Sequence, residues 1–456
     1  MIKKIITITI LAVFGIMLLY GAALAKVSAE VAERLNKDLT PMGAERAGNK
    51  EGTIPAWTGG LAGVPKGIAY AGPGTPYPDP YKNDKVLFSI TGKNVNQYAD
   101  KLSGMIVAML KKYPGMRLDV YPTHRSAAAP AWIYKNAFSN ATRCELTPDG
   151  LAVLPNGGWG AIPFPIPQKA EEVIFNHLLY WLGMGYESDL RTFNVLPNGH
   201  RAEDGGAYAI AKYPWYIENE ASSGIFYKLF VQYKTPERRK GEVLLVIDPL
   251  NQVKDPRRAW QYLPGQRRVR RAPTIAYDTP NPSSNGLSAY DDVQVFNGAL
   301  DRFNWKLLGK KELYIPYNNF AWEVAPLDKL LTVRYPNPDY LRWELHRVWV
   351  VEATLKPGKR HVYSKRIIYL DEDTWAAKMS DSYDGQGKLW RMTLQTTLPA
   401  YDVPSVISPV YLHFDITRED YHVCGLQNEM PKRTRYDIIK DDAFFTPENV
   451  RRWGLR

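Results

Sequence analysis

Four arginines, Arg267, Arg268, Arg270 and Arg271, fall within five residues, shortly after an aromatic run that holds Trp260 and Tyr262. Guanidinium groups recognise carboxylates and phosphates through paired, planar hydrogen bonds. Rings beside them can cover the apolar part of the same ligand. As an extended hairpin turning at Pro264-Gly265, the stretch puts Trp260 and Tyr262 on one face and Ala259, Gln261 and Leu263 on the other. Beyond the turn, Arg268 and Arg270 share a face, and Arg267, Val269 and Arg271 share its opposite. One pair must then approach a core or a hollow, where an unpaired arginine is costly. Three outcomes are open. The inward arginines pair with carboxylates such as Asp278, Asp291, Asp292 or Glu312; they meet an anionic head-group; or the segment is a solvated basic loop.

Patterns that carry known chemistry are missing. There is no H-E-x-x-H, C-x-x-C, G-x-S-x-G or phosphate-binding G-K-[ST]. His346 and His361 flank the "KPGK" turn but lack a third ligand, so they read as a sheet pair rather than a metal site. Asp291 and Asp292 are adjacent; in a strand they point to opposite faces and cannot act together on one bond. The sequence therefore predicts no catalytic residue, no metal and no cofactor, and reads as a non-enzyme.

The whole chain narrows the class further. Its 456 residues suffice for one large or two ordinary domains, and 23% charged with 45% hydrophobic residues is ordinary for a globular protein. The 29 tyrosines and 13 tryptophans are not ordinary; large rings with one polar end suit an interface or a ligand cavity. Residues 1–25 read as a signal peptide: Lys3 and Lys4, an apolar run, then Ala23 and Ala25 before Lys26. Retention of that run as an anchor is the alternative. A net charge of +11 on an exported protein points to anionic ligands or surfaces, not nucleic acid. Export to an oxidising compartment makes the only two cysteines, Cys144 and Cys424, a natural disulfide pair, with two unrelated buried thiols as the alternative.

Helical spacing appears over 26–38, 95–112 and 170–182, between stretches rich in glycine and proline. From Ile225 onward, short β-branched and aromatic runs alternate with hairpin-type turns such as "KPGK" and "DGQGK". The predicted fold is α+β, mainly β: a large antiparallel sheet curved into an incomplete barrel, with helices packed on it. A helix- and loop-rich region over 26–220 would precede a half-barrel over 221–456.

Ordered segments such as "LTPMGAERAGNKEGTIPAWTGG", "IPFPIPQKAEEVIFNHLLYW" and "DPRRAWQYLPGQRRVRRAPTIAYDTP" resemble an exported Gram-negative family of unknown function, of the outer-membrane lipoprotein-sorting type. "ELHRVWVVEATLKPGKRHVYSKRIIYLDEDTW" extends the likeness, and the second half resembles the superfamily of the lipoprotein carriers LolA and LolB. The resemblance implies a periplasmic binding or carrier protein for a lipid-like, hydrophobic or anionic amphiphilic ligand, with a possible association with the outer membrane. It also implies a resistance-nodulation-division exporter and an outer-membrane protein as partners. The alternative is a structural docking protein without a ligand. On the carrier reading, Trp260, Tyr262, Trp305, Tyr314, Trp349 and Trp390 would line the hollow, and Arg267, Arg268, Arg270 or Arg271 would meet the head-group.

Overall fold

The computed structural model describes residues 26–272, 277–436 and 438–455. The expected signal segment, 1–25, lies outside the described residues. Sixteen strands join in one sheet. In chain order they are β1 (Phe88–Thr91), β2 (Arg117–Val120), β3 (Gly185–Val195), β4 (Arg201–Glu203), β5 (Ala207–Lys212), β6 (Ile225–Tyr233), β7 (Val243–Pro249) and β8 (Arg258–Leu263). There follow β9 (Arg268–Arg271), β10 (Phe303–Pro316), β11 (Arg342–Leu355), β12 (Lys365–Asp371), β13 (Ala377–Tyr383), β14 (Leu389–Gln395), β15 (Tyr411–Asp415) and β16 (Asp420–Leu426). Their spatial order is β1-β2-β11-β12-β13-β14-β15-β16-β3-β5-β6-β7-β8-β9, with β10 also on β11 and β4 also on β3.

Nearly every pairing is antiparallel; β2 meets β11 in parallel at Arg342 and Trp343. Strand β3 is the hinge between two limbs. Its Gly185–Leu190 half pairs with β5, and residues from Arg191 to Val195 pair with β16. The first limb runs from β3 to β9 and the second from β10 to β16. The sheet does not close on itself, since β9 ends the order at one side. This is the expected mainly β architecture with an incomplete barrel. Strands β3 to β5 precede residue 221, so the sheet crosses the expected domain division without a break.

The helices are placed by their apolar stripes. In α1 (Gly104–Lys112), Met105, Ile106, Met109 and Leu110 are buried with Met379, Met392, Leu412 and Phe414 of the second limb. Ser103 caps α1 by accepting from the Ile106 N–H, and Asp381 accepts from the N–H groups of Gly104 and Met105 at 2.7 and 3.3 Å. A carboxylate there complements the helix dipole. The helical spacing over 95–112 thus resolves into two single 3-10 turns followed by α1. Helices α2 (Ala131–Ala141) and α3 (Ala170–Leu178) pack in the large core beneath β11 to β13. The last, α4 (Pro447–Gly454), is capped by Thr446 and brings Val450 and Trp453 onto Ile210, Phe230 and Leu245 of the first limb.

Candidate ligand cavity

Strand register decides what each face of the first limb meets. One cross-strand row reads Ser188, Ala209, Val231, Leu244, Gln261, Arg270. The row beside it reads Ile210, Phe230, Leu245, Trp260, Arg271. Directly opposed residues share a face and neighbouring rows alternate. In the second row Ile210, Phe230 and Leu245 are buried under α4 with Phe445 and Val450, Trp260 packs at their edge, and Arg271 reaches solvent. The first row faces inward, and its small members leave space.

That space is a cavity of about 210 Å³. It lies just below the ~300–1,000 Å³ usual for small-molecule sites and far above the ~10–15 Å³ that one water needs. Ser188, Ala207, Ala209, Val231, Leu244 and Val246 form its sheet wall. Residues of 281–297, 407–411 and 422–436 complete it. Gly425 has a φ of +94°, and a Cβ there would stand 2.0 Å from the Pro409 carbonyl oxygen, so glycine is what lets that segment close in.

Seven tyrosines line the cavity: Tyr186, Tyr213, Tyr227, Tyr233, Tyr290, Tyr411 and Tyr436. Burial pushes the Tyr186 phenol up to about 12 and those of Tyr213, Tyr227, Tyr411 and Tyr436 well above their ordinary value, so all remain neutral hydroxyls near neutral pH. Two charged groups among the described residues touch the cavity, Asp248 and Arg257. Arg257 donates from Nε and Nη2 to the two Asp248 oxygens at 2.6 and 2.8 Å, and from Nη2 to the Asn297 side-chain oxygen at 2.9 Å. Burial works against the guanidinium charge, but Asp248 holds it above its ordinary value. The pair is charge-neutral and directed at itself.

On the β16 wall, His422 and Cys424 reach the same cavity. Cys424 accepts from the Thr192 hydroxyl at 3.6 Å, and burial raises its thiol against the effect of hydrogen bonds from Tyr411 and Thr192. His422 is 1% exposed and stacks on His413 at 5.4 Å, yet neither ring nitrogen has a hydrogen-bond partner among the described residues.

None of the residues expected to bind a ligand borders this cavity. Trp260 and Tyr262 do share a face, but it is the outer one, beneath α4. Arg267, Arg268, Arg270 and Arg271 are all exposed on the edge hairpin. Arg267 adopts a left-handed φ of +51° at the turn, which removes it from the strand alternation. Arg270 does lie on the inward face, two strands beyond the cavity wall, where that face meets solvent. These arginines thus stand in solvent, on a strand rather than a loop, and no carboxylate pairs with them among the described residues. Trp305 packs on Phe296, Trp349 on Trp375, and Trp390 on Tyr363. Tyr314 lies between Phe88 and Tyr98.

The disulfide expectation is also corrected. Both thiols are free; Cys144 sits in the core under α2 and α3, and Cys424 stands on the cavity wall.

Asp291 and Asp292 reverse a sequence argument. They sit in a 3-10 turn, not a strand, and both reach Arg366, at 2.8 and 3.0 Å. His361 approaches Asp291 at 3.0 Å, and the Tyr363 hydroxyl donates to Asp292 at 2.9 Å. His361 is therefore paired with a carboxylate, not with His346. Burial opposes both charges; Arg366 and His361 still hold Asp291 below its ordinary value, whereas Asp292 is raised. The cluster is fully buried and ties the turn at Tyr290–Asp292 to β12.

One group among the described residues has metal-ligand spacing: His346, Asp371 and Asp373, with candidate ligand atoms within 4.8 Å. Arg125 already donates to both Asp373 oxygens at 2.6 and 2.9 Å, and the buried Lys378 adds a second cation. Arg125 thus occupies both oxygens of one of the three candidate ligands, and the charges of Asp371 and Asp373 act on Lys378.

The chain belongs to the family described as Protein of unknown function (DUF1329), whose model matches residues 89–451. It is similar to the uncharacterized protein PA3922 of Pseudomonas aeruginosa, with 41% identity over 452 residues, 97% of this chain and 98% of that one. A solved DUF1329 family protein from Desulfovibrio piger overlaps it with a TM-score of 0.40 and 16% identity, over 59% of this chain and 92% of that chain. The LolA superfamily protein NE2245 from Nitrosomonas europaea does so with a TM-score of 0.37 and 10% identity, over 62% and 100%.

Proposed function

We propose that this protein binds a hydrophobic or amphiphilic ligand in the hollow of its first limb, as a carrier or binding protein of the cell envelope. One observation carries the reading. Small and aliphatic sheet residues, among them Ser188, Ala209, Val231 and Leu244, and seven tyrosines surround a space of about 210 Å³, in a limb whose other face is covered by α4 over Ile210, Phe230 and Leu245. Interiors are normally packed to crystal density, so a space of this size in a polar-rimmed, apolar wall is the feature expected of a ligand site. The export signal read at residues 1–25 supports an envelope location. A carrier also needs an acceptor, and the exporter or outer-membrane partner implied by the sequence resemblance would fill that part.

The docking alternative draws on a different observation: the exposed arginines of β9, which no carboxylate pairs among the described residues. The two readings separate on one experiment. Protein purified from the periplasm without detergent is extracted and analysed by mass spectrometry, beside an Ala209→Trp variant that fills the space. Wild type carrying an apolar compound that the variant lacks supports the carrier. Equal, empty extracts, together with no uptake of added amphiphiles, leave docking as the function.

A further inference from the structure

We infer that the ligand is an uncharged amphiphile, an apolar body bearing a hydroxyl or carbonyl group that hydrogen-bonds to His422, and not the anion that the sequence suggests. This rests on the reading of the cavity as a ligand site. The charge of the wall is the first ground. Among the described residues Asp248 and Arg257 are the charged groups at the cavity, and two short hydrogen bonds pair them with one another. Among the described residues no lysine and no second arginine borders the space, and the arginines of β9 stand in solvent. A carboxylate or phosphate inside would lose its hydration and meet no countercharge, which costs several kcal/mol. An ammonium group fares no better, because both Asp248 oxygens are taken.

His422 is the second ground. A buried polar group normally has a partner; among the described residues this imidazole of the cavity wall has none, and with both nitrogens buried its ring must turn to offer one to a ligand. Its neighbours on the sheet row are His413, its stacking partner, and Asn194. Burial holds the ring far on the neutral side, down to about 3, so it offers one N–H donor and one acceptor nitrogen. A neutral imidazole complements a hydroxyl, which can both give and take, or a carbonyl, which takes. It is not a countercharge for an anion. The tyrosine hydroxyls around it are likewise neutral and cannot supply one.

Three probes of equal chain length test this by calorimetric titration of the intact protein at pH 7: 1-decanol, decanoate and decyltrimethylammonium. Decanol is expected to bind at least about a hundredfold more tightly than either ion; decanoate can enter as the neutral acid, and its carboxyl pKa near 4–5 makes that cost ~2–3 powers of ten. His422→Leu should weaken decanol about tenfold, the worth of one hydrogen bond, and His422→Gln, which keeps a donor and an acceptor, should restore most of it. Decanoate binding as tightly as decanol to wild type overturns the inference and leaves the cavity reading intact, as does a folded Leu variant with wild-type decanol affinity. Failure of all three probes overturns the cavity reading itself. The wild-type comparison stands even if a His422 variant does not fold.

Discussion

The two limbs of the sheet are built alike and filled differently. Each is an antiparallel meander with one face turned inward. In the second limb that face carries Arg366, Ser382, Arg391 and Asp415 in one row, and Asp291, Asp292 and Tyr363 close over Arg366. In the first limb the corresponding inward row is Ser188, Ala209, Val231 and Leu244, and none of the described residues fills the space before it. Charge explains part of the contrast. A buried guanidinium draws carboxylates onto itself, and the loop carrying them plugs the limb. The first limb confines its one ion pair to the wall, where Arg257 and Asp248 are spent on each other. Side-chain size adds to it: Ser188 and Ala209 are short members of the first row, whereas Arg366 and Arg391 are long members of the second.

The contrast should break most severely at Arg366. Arg366→Met would leave two buried carboxylates without a cation, and the expected loss is about 3–5 kcal/mol in urea unfolding. Adding Asp291→Asn and Asp292→Asn should recover much of it. A loss below ~1 kcal/mol would show that the cluster does not close the second limb.

Enlarging one alanine in each limb sharpens the comparison. Ala377→Phe, in the filled core where Ala377 has no exposure, should cost about 1–3 kcal/mol or prevent folding. Ala209→Phe should cost about 1 kcal/mol or less, because its ring has the cavity to enter. The same variant should lower decanol affinity by tenfold or more. Equal destabilisation by both would mean that the first limb has no usable space.

Smaller effects are expected at the two features that drew the sequence argument. Thiol titration of denatured, unreduced protein should count two free thiols, and reductant should leave the unfolding midpoint unchanged. One disulfide per chain would contradict the separate placement of Cys144 and Cys424. Replacing Arg267, Arg268, Arg270 and Arg271 with glutamine should alter stability by no more than about 0.5 kcal/mol, as is usual for exposed sites, and leave decanol binding as it is. A tenfold loss of binding would place the arginines at the ligand after all.

Local pattern was readable in the chain, and the partners of each face were not. Alternation correctly put Trp260 and Tyr262 together on β8. Which side they face depends on α4, almost two hundred residues later, whose short amphipathic stretch was passed over. Strand periodicity after Ile225 located the meander, but β3 and β5 were missed. The run "GGAYAIAK" within 205–212 carries alternating small residues that pack as a cavity wall, yet it looks too weakly β-branched to read as a strand. The Asp291-Asp292 argument failed because a 3-10 turn, unlike a strand, lets neighbouring side chains converge. The excess of tyrosine did point to a cavity; its place had to come from the register.

The most direct test is a crystal structure of the protein with 1-decanol. The account predicts the alkyl chain within the tyrosine-lined hollow, against Ala209 and Val231, with the hydroxyl oxygen within hydrogen-bond distance of a His422 ring nitrogen. A hollow collapsed onto its own side chains, or an alcohol bound only on the outer surface, would contradict it.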